Sequence, residues 1–471
     1  MKKIFLGLVG LIFLYSINLF ASEQQAVELT VYNQNFALVK DKRSLELKKG
    51  INDIRFSDVA SYIEPESVHF KSLTDPLGCL IQEQNYEYDL VSADKLLKKY
   101  IDNSIKLLTE NGKLYEGKLL SYDGNNIVIV DSTGINMVTR KDNIINIAFP
   151  ELPEGLITKP TLMWQIKNRK SGKHLIEVSY LTKNIRWNAD YVVVVDKLDK
   201  KIDLSGWVTI DNRSGATYKD ARLKLIAGDV NRVQENFIGG SVQKSFAARE
   251  MVDDEQFSEK AFFEYHMYTL ERSTTVKNNQ TKQVSLLSAE SVPVQKLFVY
   301  DPVDYYGWRW FDYDNSSSKK QKIKVKLEFK NSKKDNLGMP LPKGKVKVYK
   351  KDTDESLQFI GENMIDHTPK DEKIRLYLGD AFDVVGERKK MNYREDHKAR
   401  WSEETFEISL RNHKDTDIVV NVIEHLWRYT NWKIISKTHE FEKKDAQTIQ
   451  FNVPVKKDSE VKLEYVVRYR W

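Results

Sequence analysis

Alternating apolar and polar positions dominate the chain. ELTVYNQNFALVK (28–40) and VKLEYVVRYRW (461–471) repeat with a period of two, which is typical of β-strands with one buried face. Turn signals containing Gly, Asn or Asp separate such runs at intervals of about ten residues. The pattern predicts a mainly β protein of tandem Ig-like or β-sandwich domains.

One segment departs from this pattern and predicts a short helix. In LVSADKLLKKYIDNS (90–104), Ser92 suits the N-cap, and Leu96, Leu97, Tyr100 and Ile101 form an apolar face. Short strands follow over 106–149, with Gly-containing turns between them. Their spacing resembles a small SH3-like or Sm-like barrel, and we expect it to act as a packing or contact module.

Composition and pattern divide the chain into segments. Residues 230–262 are polar and without period, which predicts a long mobile loop. The predicted segments are a signal peptide (1–21), an N-terminal β segment (22–89), the helix with the small barrel (90–150), a central β-sandwich (151–299) and a C-terminal β-sandwich (300–471).

The N-terminus predicts export. MKKIFLGLVGLIFLYSINLFASEQQ has a basic start at Lys2 and Lys3, an apolar run, and Ala21 before polar residues. This order is typical of a secretory signal peptide cleaved after Ala21, with an uncleaved anchor as the alternative. We therefore expect the protein in the periplasm or at the cell surface. Association with a membrane stays open, without a spanning helix after cleavage.

The charge and cysteine content narrow the partners. The 74 Lys and Arg residues exceed the 68 Asp and Glu residues by six, and the charges are interspersed, which argues against a nucleic-acid partner. Cys79 is the only cysteine, so no internal disulfide is expected. Its apolar, strand-like surroundings predict a buried, inert thiol.

An acidic stretch, LYLGDAFDVVGERK (376–389), is the first candidate site. Asp380, Asp383 and Glu387 lie close together and end beside Arg388. Paired carboxylates can act as general acid and base or bind a hard cation. Asp residues in turns usually bond their own backbone, however. The preferred interpretation is a turn between core strands, in which Arg388 pairs with one of the acids.

No sequence motif indicates a catalytic site or a metal-binding site. The eight His residues lack zinc-ligand spacing, and neither HExxH nor GxSxG occurs. We predict a protein that is not an enzyme and has no metal and no cofactor. The alternative is an envelope hydrolase or metal-dependent enzyme that uses Asp380, Asp383 and His266.

An aromatic cluster is the second candidate site. Exposed rings here could stack on sugars or anchor a protein partner. Alternatively, Tyr306, Trp308 and Trp310 form one buried face of a strand. The cluster, in the run YYGWRWFDY, consists of Tyr305, Tyr306, Trp308, Trp310, Phe311 and Tyr313.

Several segments together resemble one bacterial family. They are NIRWNADYVVVV with GWVTIDNRSGATYKDARLKL (184–225), FFEYHMYTLERSTTVKNNQTKQVSLL (262–287), MPLPKGKVKVYKKDTDESLQFIGENMIDHTPKDEKIRLYLGDAFDVVGERK (339–389) and ISLRNHKDTDIVVNVIEHL with NWKI (408–434). They resemble the family catalogued as domain of unknown function 4139, which is related to a mucoidy-inhibitor protein. The resemblance implies an exported, β-rich protein near the cell envelope and brings no catalytic residues.

These observations predict binding or scaffolding at the bacterial cell envelope, with protein or glycan partners. The oligomeric state stays open. A second alternative is an integral outer-membrane β-barrel, because Val461, Leu463, Tyr465, Val467 and Tyr469 alternate up to the C-terminus.

Overall fold

The computed structural model describes residues 23–140, 144–153, 155–228, 230–232, 257–302, 319–426, 428–429 and 431–471. Strands account for 67% of the residues and helix for 4%, so the predicted mainly β class is confirmed. In the described ranges, no helix is long and apolar enough to cross a membrane.

The elements are numbered in chain order. The first are β1 (Glu23–Tyr32), β2 (Phe36–Leu47), β3 (Gly50–Ser57), β4 (His69–Ser72), β5 (Cys79–Glu87), α1 (Ala93–Lys99), β6 (Ser104–Thr109), β7 (Leu114–Tyr122), β8 (Asn126–Asp131), β9 (Gly134–Thr139), β10 (Ile144–Ala148), β11 (Thr161–Asn168) and β12 (Gly172–Lys183). Then follow β13 (Ile185–Val195), β14 (Lys201–Asn212), β15 (Tyr218–Ala227), β16 (Phe257–Phe262), β17 (Tyr265–Leu270), β18 (Thr274–Val276), β19 (Gln280–Pro293), β20 (Gln295–Tyr300) and β21 (Lys319–Lys330). The last are β22 (Gly344–Lys351), β23 (Leu357–Ile365), β24 (Lys373–Asp396), β25 (Trp401–Asn412), β26 (Ile418–His425), β27 (Asn431–Lys437), β28 (Phe441–Lys443), β29 (Thr448–Val455) and β30 (Ser459–Arg470). Single 3₁₀ turns occur at Pro65–Ser67 and Lys333–Asp335.

The chain forms two compact units, and neither is continuous in sequence. The predicted central domain, 151–299, is divided between them, which a division into contiguous segments did not anticipate. Unit 1 contains the residues up to Arg186, Asp211–Lys224 and Arg272–Gln280. Unit 2 contains Trp187–Ile210, Leu225–Glu271 and Thr281–Trp471.

Unit 1 contains a β-sandwich. In one layer β2 pairs with β1 and β12, and β12 pairs with β4. In the other, β11 lies between β3 and β5. The Trp164 ring of β11 lies 4.9 Å from Phe56 of β3 and 5.5 Å from Phe70 of β4. Alternate side chains of these strands are buried, as the period of two requires.

The small module in unit 1 has the predicted helix and five strands. Ser92 caps α1, because its hydroxyl accepts a bond of 3.3 Å from the Lys95 N–H. Leu97 of α1 and Tyr100 at its C-cap pack on a sheet of order β10-β6-β7-β8-β9, whereas Ile101 of the predicted apolar face is 39% exposed. The outer strands β9 and β10 are not paired with each other in the described residues. The sheet is therefore not closed by pairing of its outer strands, whereas the sequence predicted a small SH3-like or Sm-like barrel.

Unit 2 contains a five-stranded and a nine-stranded sheet. The orders are β19-β14-β13-β22-β23 and β27-β30-β25-β24-β21-β20-β26-β29-β28. In the nine-stranded sheet, Phe451 of β29 lies 5.6 Å from Tyr465 of β30, although the two strands are near opposite ends of the order. The sheet therefore folds over itself and buries a core, and Leu463, Tyr465, Val467 and Tyr469 of the last strand point into this core.

The predicted mobile loop, 230–262, contains an element that the sequence analysis missed. Residues 257–262 form β16, which pairs with β17 in an antiparallel hairpin. Phe257 at its start is buried, and the other five residues are less enclosed. Because only Phe257 is buried, FSEKAF shows no regular alternation of apolar and polar residues. Residues 233–256 lie outside the described residues.

Candidate functional site

The aromatic candidates lie outside the described residues. Residues 303–318 are not part of the described chain, so the choice between exposed rings and a buried strand face stays a prediction. These candidates are Tyr305, Tyr306, Trp308, Trp310, Phe311 and Tyr313.

The acidic stretch is not a turn between two strands but part of the 24-residue strand β24. The pairing of β24 with β21 shifts between Asp380, opposite Lys324, and Val385, opposite Lys322, so the intervening residues bulge out of the ladder. Gly379 enters the bulge with φ +132°, a conformation that favours glycine. Phe382 is 97% exposed at the bulge, whereas Val384 is buried.

The acids of the stretch have structural contacts. Asp380 is exposed and accepts a 2.9 Å bond from the Tyr377 hydroxyl. The backbone carbonyl of Asp383 accepts from the His413 N–H. Glu387 is buried and pairs with Arg411 at 3.4 Å and Lys389 at 3.3 Å. The preference for a structural role agrees with these contacts.

Arg388 does not pair with an acid of its own stretch. Its Nε and Nη2 donate to the carboxylate of Glu424 on β26, at 3.0 to 3.1 Å. The guanidinium lies 3.7 Å from the centre of the Phe406 ring, and the Tyr465 hydroxyl also donates to Glu424. The side chains of Arg388 and Glu424 are 10% and 0% exposed, so this is a buried ion pair in the core of the nine-stranded sheet.

The sequence analysis missed Glu424, although a signal was present. Val420 and Val422 are buried in β26, and Glu424 continues the same face. A charged residue at an inward position of an alternating strand indicates a buried partner of opposite charge. Glu404 gives the same signal: it precedes buried Phe406 on the same face of β25 and pairs with Lys390 at 3.2 Å and Arg428 at 2.9 Å.

The residues of the enzyme alternative are not joined. His266 bonds Glu259 at 2.7 Å in the β16–β17 hairpin, and no recorded bond in the described chain links it to Asp380 or Asp383. Within the described ranges, no group of three or more His, Cys, Asp or Glu residues could hold a metal ion. Cys79 is buried as predicted, and burial, assisted by Asp75, raises the pKa of its thiol to about 11.

A polar cleft in unit 1 is a site that the sequence analysis did not find. It has a volume of about 720 Å³, within the range of about 300 to 1,000 Å³ of ligand sites. The segments after β1, β3, β5, β12, β14 and β18 line it, together with Arg186 of β13 and Asp211 of β14. The lining residues are Asn35, Ser61, Tyr62, Leu90, Asn184, Arg186, Asp211, Arg213, Gly215, Asn278 and Asn279.

Asn212, the last residue of β14, fixes one wall of the cleft. It is fully buried. Its amide donates to the carbonyls of Ala216 at 2.9 Å, Val276 at 3.4 Å and Lys277 at 3.0 Å. Its Oδ1 accepts from the backbone N–H and the hydroxyl of Ser214. One buried side chain thus ties the loop after β14 to the turn after β18.

Backbone bonds join the other turns to the same wall. The Arg213 N–H donates to the Asn184 carbonyl at 2.8 Å, and the Tyr62 N–H donates to the Ser214 carbonyl at 3.2 Å. The Asn278 side chain accepts from the Gly215 N–H at 3.0 Å. Hydrogen bonds among its own segments therefore hold the lining, which lowers the entropy cost of binding.

Gly215 allows the loop after β14 to lie close to the segment that contains Ser61. It has φ +84°, and a Cβ at this position would lie 2.2 Å from the Ser61 hydroxyl oxygen. A side chain would push the loops apart and strain the backbone. The requirement for glycine here follows from both the conformation and the contact.

The charges of the lining do not balance. Asp211 lies between two arginines: its Oδ2 is 3.7 Å from Arg186 Nη2, and its Oδ1 accepts from Arg213 Nε at 3.4 Å. The two arginine side chains are 61% and 72% exposed, whereas that of Asp211 is 20% exposed. The three charged residues sum to +1, and the guanidinium groups face solvent.

The cleft offers hydrogen-bonding groups and one aromatic face. Tyr62 is 51% exposed, so its ring can contact a ligand. Asparagine amides supply both donors and acceptors. Apart from Tyr62, Leu90 is the main apolar contributor to the lining. This chemistry suits reversible binding of a polar ligand. Its residues are spread over more than 240 positions of sequence, and no local motif could have revealed them.

No protein-family model matches the chain, and no curated protein is significantly similar to it in sequence. The resemblance to the family of domain of unknown function 4139 therefore stays a prediction.

Proposed function

We propose that the protein is an exported, non-catalytic binding protein of the bacterial cell envelope and that the cleft of unit 1 holds its ligand. The observation that carries this proposal is the cleft itself: a volume of about 720 Å³ lined mostly by polar residues. Ligands that such a lining can satisfy are themselves polar, and envelope glycans are the partners that fit best.

The rigidity of the cleft supports binding over scaffolding alone. Asn212 holds three carbonyls of the wall, and Gly215 allows two loops to meet. A preformed site benefits a ligand, because fewer groups must be ordered on binding.

The proposal includes export because the N-terminal run has the basic, apolar and small-residue order of a signal peptide. It excludes catalysis because the acids of 376–389 have structural contacts and His266 bonds Glu259. The resemblance to the family of domain of unknown function 4139 likewise implies a location near the cell envelope.

A glycan array probed with the full mature chain tests this proposal. We expect saturable binding to a subset of bacterial envelope glycans, lost in Tyr62→Ala. Tyr377→Ala is the matched control, since this tyrosine in unit 2 is 41% exposed against 51% for Tyr62. NMR spectra of the bound glycan after incubation should be unchanged. Cleavage of the glycan, or equal binding by Tyr62→Ala, contradicts the proposal.

A further inference from the structure

We infer that the cleft of unit 1 recognises a saccharide that carries a carboxylate, such as a uronic acid within an acidic glycan. This inference rests on the proposed function and adds the charge class of the ligand. It derives from the two arginines, the single aspartate and the amide groups of the lining.

The arginines are positioned for an anion. Each oxygen of Asp211 faces a different arginine, at 3.7 Å for Arg186 and 3.4 Å for Arg213. These are long contacts, so one carboxylate orients both guanidinium groups without engaging all their N–H donors. Among the described residues, no other ion pair is recorded for either arginine. A ligand carboxylate can accept charge-assisted hydrogen bonds from both guanidinium groups.

The exposure of the two arginines favours a ligand over a structural role. Buried Arg388 makes three hydrogen bonds of about 3 Å with Glu424. This is the arrangement of an arginine with a structural role in this protein. Arg186 and Arg213 remain 61% and 72% exposed. The backbone of each arginine is nevertheless fixed: the Arg213 N–H donates to the Asn184 carbonyl at 2.8 Å, and Arg186 lies in β13.

The remaining lining favours a sugar ring. Hydroxyl groups of a sugar need donors and acceptors at short intervals, and Asn35, Asn184 and Asn279 provide amides at the cleft. These three asparagines have left-handed backbone conformations, with φ between 53° and 64°, so their turns are fixed. Tyr62 provides a half-exposed ring on which a sugar face can stack. An acidic peptide would use the arginines but leave these amides and this ring less engaged.

Trigalacturonic acid and its trimethyl ester are a matched pair of probes. They share ring shape and hydroxyl groups and differ in charge. We expect calorimetry with the full mature chain to give at least about 10-fold tighter binding of the acid, since charge-assisted bonds are roughly twice as strong as neutral ones. The difference should shrink as salt is raised from low concentration.

The double variant Arg186→Gln/Arg213→Gln should bind the acid at least about 10-fold more weakly and the ester within about twofold of the wild type. Arg169→Gln is the matched control. It is 63% exposed in unit 1 and pairs with Asp75 at 3.3 Å, outside the cleft, and we expect it to bind like the wild type.

Four outcomes overturn this inference. Equal affinity for acid and ester, or an unchanged preference in the double variant, removes the arginines from recognition while the proposed function stands. Tighter binding of a hexaglutamate peptide than of the acid assigns the cleft to acidic peptides. Absence of saturable binding to every probe, together with a negative glycan array, rejects both the inference and the proposed function.

Discussion

Arg388 on β24 and Glu424 on β26 form a buried ion pair across the core of the nine-stranded sheet, with the guanidinium 3.7 Å from the Phe406 ring centre. The two strands are not neighbours in the sheet, because β21 and β20 lie between them. The pair therefore joins parts of the sheet that its backbone ladder does not join directly.

Breaking this pair should be costly. In Arg388→Met the carboxylate of Glu424 stays buried without its cation, which costs about 3–5 kcal/mol in the free energy of unfolding. The double variant Arg388→Met/Glu424→Leu should recover most of the loss, since an apolar pair of similar volume avoids the desolvation penalty. Urea denaturation followed by tryptophan fluorescence measures both variants.

An exposed ion pair of unit 2 provides the control. Lys197 and Glu355 have side chains that are 42% and 70% exposed, and Lys197→Met should change the free energy of unfolding by less than about 1 kcal/mol. A similar, small effect of Arg388→Met would mean that the buried pair contributes no more than a surface pair.

Gly386 of the acidic stretch should not tolerate alanine. A Cβ there would lie 2.3 Å from Cδ2 of the buried Tyr300 ring, and such overpacking costs about 1–3 kcal/mol. Gly124→Ala is the control, because nothing lies within 4 Å of its added Cβ. Thermal unfolding of both variants decides the matter; equal melting temperatures would show that the Tyr300 ring moves aside without cost.

The period of two predicted the class and many buried residues correctly, because a strand with one buried face leaves a direct trace in the sequence. Leu463, Tyr465 and Val467 of β30 are buried as their alternation requires. The sequence could not predict the interleaving of the two units, since sheet partners such as β13 and β22 are more than 140 residues apart and nothing local encodes their pairing.

The candidate sites show the same contrast between local preferences, which the sequence reveals, and contacts between distant segments, which it does not. The structural interpretation of the acidic stretch could be derived from Asp and Gly preferences, but the partner of Arg388 could not, because Glu424 is 36 residues away. The cleft is lined by segments from six parts of unit 1. A residue such as Asn35 looks like an ordinary turn residue until the fold brings Arg213 to the same space.

Asn212 and Asn412 are equivalent features of the two units. Each ends a strand after an apolar and a charged residue, and each donates to three carbonyls, those of Asn412 being Thr416, Val455 and Lys456. Asn331 repeats this arrangement after β21 with the carbonyls of Met339, Thr368 and Pro369. The recurring sequence pattern IDN, FKN and LRN was a signal of a repeated strand end.

Replacing these asparagines should leave buried carbonyls unsatisfied. We expect Asn212→Ala and Asn412→Ala each to lower the free energy of unfolding by about 1–3 kcal/mol, and only Asn212→Ala to weaken ligand binding in the cleft. Asn421→Ala is the control, since its exposed amide bonds the exposed side chain of Asn452. Urea denaturation and calorimetry measure the two effects. Loss of cleft binding in Asn412→Ala would contradict this separation.

Asp199, in the turn between β13 and β14, should make unit 2 sensitive to acid. Its partial burial opposes ionisation, but hydrogen bonds from Lys350 and Lys296 outweigh this effect and lower the pKa of its carboxyl. The folded pKa lies below the unfolded value of about 3.9, so the stabilisation is present above that value and is lost as the pH falls through the folded pKa.

Asp199→Asn keeps the left-handed backbone conformation at this position, which has φ 57°, and removes only the charge. We expect this variant to be less stable than the wild type by about 1 kcal/mol at pH 7, with a difference that shrinks as the pH falls below 4. Asp366→Asn, with a side chain that is 94% exposed and 3.9 Å from Lys343, should match the wild type at every pH. The midpoints of urea denaturation between pH 7 and pH 3 measure the stability difference between Asp199→Asn and the wild type. A difference that stays constant over this range would exclude the ionised carboxylate of Asp199 as its cause.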